Sequence, residues 1–328
     1  MRLKGGELKS TVFYAVTVLA VAVTPGLADW VYEGQWGSVG IGNGQFNLPG
    51  DVAIATNGNV YVTDAYNYRV QYFTATGSFL GKWGSRGSGA GQFEVPRGLA
   101  FGSSGNVYVT DYSNHRVQYF TSSGSYLGFH GSEGTGNGQF RGPYGIAFAR
   151  SGNWYVTDAG NHRVQYFTRA GSFLGKWGSY GRGDGQFMFP LKIDVAPNGN
   201  VYVADRENNR VQYFTPGGSF VGKWGTEGSG NGQFNDPLGV TYALGIVYVA
   251  DARNHRVQYF TPSGSFLGKW GSFGTGNGQF NWPSAVAVTA NGARVYVADY
   301  RNHRIQYFRE SLPAVVPSSV GRIKALFK

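Results

Sequence analysis

Six Asp residues in this chain are each followed, five positions later, by an Arg that opens the run Val/Ile-Gln-Tyr-Phe: Asp64/Arg69, Asp111/Arg116, Asp158/Arg163, Asp205/Arg210, Asp251/Arg256 and Asp299/Arg304. Two chemistries suit such a set. Six guanidinium groups in a ring can grip an anion. Alternatively, each Asp accepts backbone N–H bonds within its loop while Asn114 and its equivalents take the left-handed conformation Asn tolerates. The Arg then pairs with the Asp or stacks on a ring. The structural role is the expectation, because a fold needs six equal contacts and a ligand rarely does. Just before the Arg stand His115, His162, His255 and His303, metal ligands by type. Zinc, however, wants three or four donors converging at about 2 Å, and equivalent positions in separate units are spread too widely to share one ion. The chain has no Cys, so disulfides, thiolate nucleophiles and Cys-containing zinc sites are excluded. No metal and no cofactor is expected.

A second group stands out by departing from the repeat. Where the sister segments carry Ala53, Ala100, Ala147 and Ala287, the fourth carries Asp194, with Lys192 two residues before it. The position after a recurring Pro reads Gly50, Arg97, Tyr144, Leu191, Leu238 and Ser284, with Asp51 beside the first. Asp51, Arg97, Tyr144, Lys192 and Asp194 are therefore a candidate ligand cluster of mixed charge. The competing expectation is an Asp–Lys pair that merely fills space. The isolated His130 replaces the Trp of Trp36, Trp83, Trp177, Trp224 and Trp270, and reads as a substituted packing position.

The elements that must position these residues follow from the spacing. Successive Asp residues lie 47, 47, 47, 46 and 48 apart, and a period near this length with strand-like content means a radial array of small sheets. In the second unit, Gly98–Phe101, Asn106–Asp111, Arg116–Phe120 and Tyr126–Gly128 read as four antiparallel strands. Ser104-Gly105 and Ser123-Gly124 supply tight turns between them. The 46 and 48 intervals arise in one turn, shortened at Leu244-Gly245-Ile246 and lengthened at Asn291-Gly292-Ala293-Arg294. The fold class is thus all-β, a six-bladed β-propeller. The sixth unit stops at Phe308 without an outer strand, and Trp30–Gly37 matches the missing piece, so the N-terminal strand closes the ring. Gln-Tyr-Phe and Lys-Trp-Gly place rings between blades as packing.

The segment Asp-x-x-Asn-His-Arg-Val followed by Gln-Tyr-Phe resembles the NHL repeat, across about residues 30–308. The resemblance implies a six-bladed propeller used mainly as a binding platform. Arg stands where the motif has Leu, and the His becomes Tyr68 in the first unit and Asn209 in the fourth. Such variation argues against a catalytic His.

The loops between second and third strands share a face with the links between blades. They carry Asn114 and present Tyr66, His115, His162, Arg206, Arg253, His255, Arg301 and His303 as a partner-binding rim. Tyr and Arg favour interfaces. The expected function is a non-enzymatic interaction scaffold, monomeric, for a protein or extracellular polymer. An axial metal-dependent lactonase- or lyase-like enzyme is one alternative, but Asp194 and Asp51 offer too few ligands. RNA binding, known in NHL domains, needs a one-sided positive field. The charge of +10 drops to +8 without Arg2, Lys4, Glu7 and Lys9, so nucleic acid is not expected. Residues 1–28 read as a secretory signal, with Arg2, Lys4 and Lys9 before the apolar Thr11–Val23 and a break at Pro25-Gly26. The propeller is assigned to 29–308, outside the cytoplasm, and 309–328 to a flexible basic tail. Membrane contact is expected only through an uncleaved signal segment or that tail.

Overall fold

Short runs such as Val60–Asp64 and Arg69–Phe73 are rich in β-branched and aromatic residues and bury both faces, as strands between two neighbouring sheets must. The computed structural model describes residues 30–311. There, twenty-four strands form six four-stranded antiparallel sheets. The first blade comprises Pro49–Ile54, Val60–Asp64, Arg69–Phe73 and Phe79–Trp83, from axis to rim. The innermost strands of the others open at Pro96, Pro143, Pro190, Pro237 and Pro283. Pro suits that first position because it has no N–H to give the ladder.

Closure runs through the N-terminal strand Trp30–Trp36. It pairs antiparallel with Arg304–Glu310, Trp30 opposite Glu310 and Trp36 opposite Ile305. Arg309 and Glu310 are held by Val31 and Trp30, so the last blade runs two residues past the expected boundary at Phe308. The expected signal segment, 1–28, and the tail from 312 onward lie outside the described residues.

Blades are sewn together by rings. Trp36 lies 5.5 Å from Phe73 of the first blade and 6.0 and 5.9 Å from Tyr296 and Tyr307 of the sixth. In the outer strand, Gly34 and Gly81 leave room for the neighbouring Tyr ring; a Cβ there would sit 2.4 Å from Tyr307 and 2.5 Å from Tyr72. The second–third interface solves the same problem differently. His130 stacks on Tyr119 at 5.3 Å and meets Trp154 at 5.2 Å. Trp154 is fully buried at a position that is Val in the other five blades and lies flat on Phe167 at 4.1 Å. A large residue lost from one blade is regained from the next, which preserves packing density.

Candidate functional site

The six Asp–Arg pairs are buried structural ties. In the first blade Arg69 Nε donates to Asp64 Oδ2 at 2.7 Å, and its two Nη atoms donate to the carbonyls of Ile41, Gly42 and Gln45 in the incoming link. Gln71, the Gln of Gln-Tyr-Phe, adds bonds to Asp64 Oδ2 and the Gln45 carbonyl, and its Oε1 accepts the Gly44 N–H. Each Arg spends its fork on its own blade's link, so none is left for a common ligand.

The left-handed residue is not Asn114. Asn114 donates its amide to Asp111 Oδ2 and the Gly87 carbonyl. The positive φ falls one residue later, at Tyr68, His115, His162, Asn209, His255 and His303. The reason lies in the next blade. The residue before each opening Pro is itself left-handed: Leu48, Val95, Gly142, Phe189, Asp236 and Trp282. Such conformations cost of order 1–3 kcal/mol for a non-Gly residue and persist only where neighbours over-determine them. Here the repeated Asp takes the preceding N–H, as Asp64 does from Asn47. The left-handed residue of the previous blade takes the next one. His115, His162, His255 and His303 accept through Nδ1 from Gly142, Phe189, Trp282 and Leu48, and Asn209 Oδ1 accepts from Asp236. These His residues, read as a partner rim, thus work as ties between blades, and their acceptor role requires the neutral ring. Burial, with Arg301 nearby, pushes His255 below the ordinary His value.

The five-residue axial cluster divides into levels. Lys192 Nζ donates to Asp51 Oδ2 at 2.5 Å, with both side chains buried. The Asp51 carboxylate also accepts the N–H groups of Val52 and Leu99, at 2.8 and 2.7 Å. On the turn side of this tie, Asp194 accepts from Val195 and Tyr242, and burial raises its carboxyl to about 6. On the loop-bearing side, Arg97 and Tyr144 face a separate vestibule of about 240 Å³. The cluster is therefore not one cavity: Arg97 and Tyr144 line the vestibule, Lys192 and Asp194 line a second axial cavity, and Lys192 ties to Asp51 across the axis.

The vestibule wall includes residues that the sequence reading did not single out: Tyr112, Phe189, Trp282 and Tyr300, joined by Leu191, Leu238 and Ser284. Three of these follow the opening Pro, where the repeat leaves identity free, and two precede it, aimed by the His ties. The Arg97 guanidinium lies over the rings of Tyr66, Tyr144 and Tyr300 at 5.7 to 5.8 Å, and its Nη1 donates to the Tyr300 hydroxyl at 3.4 Å. Burial raises the Tyr144 and Tyr300 phenols, so both stay neutral. Outside them, Arg301 stacks on Trp282 at 3.9 Å, while Arg206 and Arg253 share the carboxylate of Asp236. Among the described residues, no group of three or more His, Cys, Asp or Glu is placed to hold a metal ion.

A family profile described as the NHL repeat matches residues 46–73, 93–120, 187–214, 234–260 and 280–308. The chain belongs to the NHL-repeat family. The stretch between the second and third matches holds the third blade, the one built around Trp154. Curated proteins give no match. Among solved structures, this NHL propeller is similar to a protein of unknown function from Bacteroides thetaiotaomicron, at TM-score 0.65 and 16% identity over 85% of this chain and 76% of that one. An auxiliary nutrient binding protein from Bacteroides ovatus gives 0.63 and 15% over 83% and 72%. Virginiamycin B lyase from Staphylococcus aureus gives 0.54 and 13% over 79% of each chain. At these identities the likeness is one of fold.

Proposed function

We propose that this NHL propeller is an exported, non-enzymatic platform that presents its loop-bearing face to a protein or extracellular polymer. The observation that carries the reading is a set of large apolar side chains standing out from the interblade links on that face: Val39, Ile41, Tyr180 and Phe273 are 64–81% exposed. A fold with no structural need to expose them gains nothing from their position, whereas interfaces are built from such groups beside Arg and Tyr. Tyr66, Arg253 and Arg301 supply the polar neighbours. Export rests on the charged, then apolar, character of residues 1–28. Lyase or lactonase chemistry would ask for several converging ligands, whereas Asp51 is paired with Lys192 and Asp194 is held by backbone N–H groups.

The test is capture of polymers and proteins from the producing cell's extracytoplasmic fraction on immobilised protein. A variant carrying Ile41→Ser, Tyr180→Ser and Phe273→Ser is run beside the parent, with fractionation of the producing cell. Loss of capture by the variant and an extracytoplasmic location are expected. Equal capture by both proteins, or a cytoplasmic location, would overturn the reading.

A further inference from the structure

We propose that the central vestibule takes a small organic acid, one carboxylate carried on an aromatic or branched apolar body. The inference goes beyond the platform reading and stands without it.

Arg97 is the starting point. It makes no ion pair among the described residues, and its Nε is buried without a hydrogen-bond partner. A guanidinium stays charged at any working pH and offers five donors in a planar fork. Its single hydrogen bond, to Tyr300, uses one of them. Leaving a buried donor unmet costs about 1–3 kcal/mol, and the three Tyr residues offset the charge with their ring faces while supplying one acceptor, the Tyr300 hydroxyl. The nearest axial carboxylate, Asp51, is committed to Lys192 and two backbone N–H groups. What Arg97 lacks is a planar pair of acceptors.

The rest of the cavity sets the body of the ligand. Phe189, Leu191, Leu238 and Trp282 give an apolar wall facing the Arg97 side. The volume of about 240 Å³ lies below the roughly 300–1,000 Å³ of sites for drug-sized ligands, which limits the guest to one ring or branched chain plus its carboxylate. The field agrees in sign: Arg97 and Arg206 line the cavity, Arg253 and Arg301 lie over the Trp282 ring, and Asp236 pairs with Arg206 and Arg253. A cation is repelled, and a neutral guest offers the fork no charge-assisted bidentate pair.

The experiment titrates the whole protein with phenylpropionate, its neutral amide, inorganic phosphate and a peptide ending in Phe, followed by calorimetry. Saturable binding of the acid, with the amide at least about tenfold weaker, is expected. Binding of the peptide as well as the acid would assign the carboxylate to a chain end rather than a free acid, and tighter binding of phosphate than of acid would overturn the proposal. Arg97→Met should remove at least about tenfold in affinity, with Arg97→Lys between the two. Leu238→Trp fills the cavity without touching Arg97 and should abolish binding, so the outcome is decided even where Arg97→Met does not fold. Equal binding of acid and amide, no binding of acid, or unchanged binding by Leu238→Trp would overturn the proposal. The rim variant with Ile41→Ser, Tyr180→Ser and Phe273→Ser should bind the acid normally, which separates failure here from failure of the platform reading.

Discussion

Lys192, on the innermost strand of the fourth blade, reaches the Asp51 carboxylate on the innermost strand of the first, 2.5 Å away. Among the innermost strands the main contacts run between ring neighbours, in the order one to six and back to one, so these two blades face each other across the axis. The pair is a strut spanning the channel, which explains why the central space is divided in two.

A strut of this kind contributes through its partnership more than through either charge. Removing one partner from a buried pair typically costs about 3–5 kcal/mol, while replacing both with apolar groups is often neutral. Lys192→Met should therefore lower stability sharply. Combining it with Asp51→Leu should restore much of the loss in denaturant titrations.

The repeated Asp–Arg ties should behave alike. Arg210→Met leaves Asp205 buried beside an empty fork position and should cost about 3–5 kcal/mol. Arg86, whose partner Glu94 is on the surface, gives the contrast: Arg86→Met should cost no more than about 1 kcal/mol. Equilibrium unfolding of the two variants checks the difference.

The exchange between His130 and Trp154 predicts coupling. His130→Trp alone overfills the second–third interface, and Trp154→Val alone opens a cavity; each should destabilise by about 1–5 kcal/mol. The double variant reproduces the arrangement of the other blades and should recover most of the loss. A double-mutant cycle on unfolding free energies measures it.

Stability should depend on pH with two opposite signs. Burial holds His130 and His255 below their ordinary value in the fold, so the unfolded chain takes their protons first. Their contribution is complete above about pH 6.5 and declines as pH falls below it. Asp194, raised to about 6, takes its proton first in the fold, so its contribution grows as pH falls from about 6 towards 4. His255→Asn, copying Asn209, should flatten the first limb. Carbon-detected NMR of the Asp194 carboxyl should titrate near 6.

Much of the architecture is written in the repeat. The 47-residue period, the paired turns and the truncated sixth unit define the blades and their closure without reference to three dimensions. The Asp–Arg tie is legible for the same reason, since six copies identify a structural demand. What escapes is relational. Asn114 and His115 both tolerate a left-handed backbone, and only the N–H of Gly142 in the next blade shows that His115 takes it. Lys192 and Asp194 look like each other's partner, yet Lys192 finds its own 141 positions away in the chain, and Asp194 is held by backbone N–H groups. Phe189 and Trp282 look like link residues until the His ties turn them inward.

The closing pair, Trp30 opposite Glu310, has a consequence for synthesis. The segment that leaves the ribosome before any blade is also the last to find its place, because its partner is made about 280 residues later. Throughout translation the growing arc has a raw end, and its earliest strand waits unpaired. Completion is thus a terminal event rather than a gradual one, and a chain released a few residues short of Arg304–Glu310 would carry five good sheets and no circle.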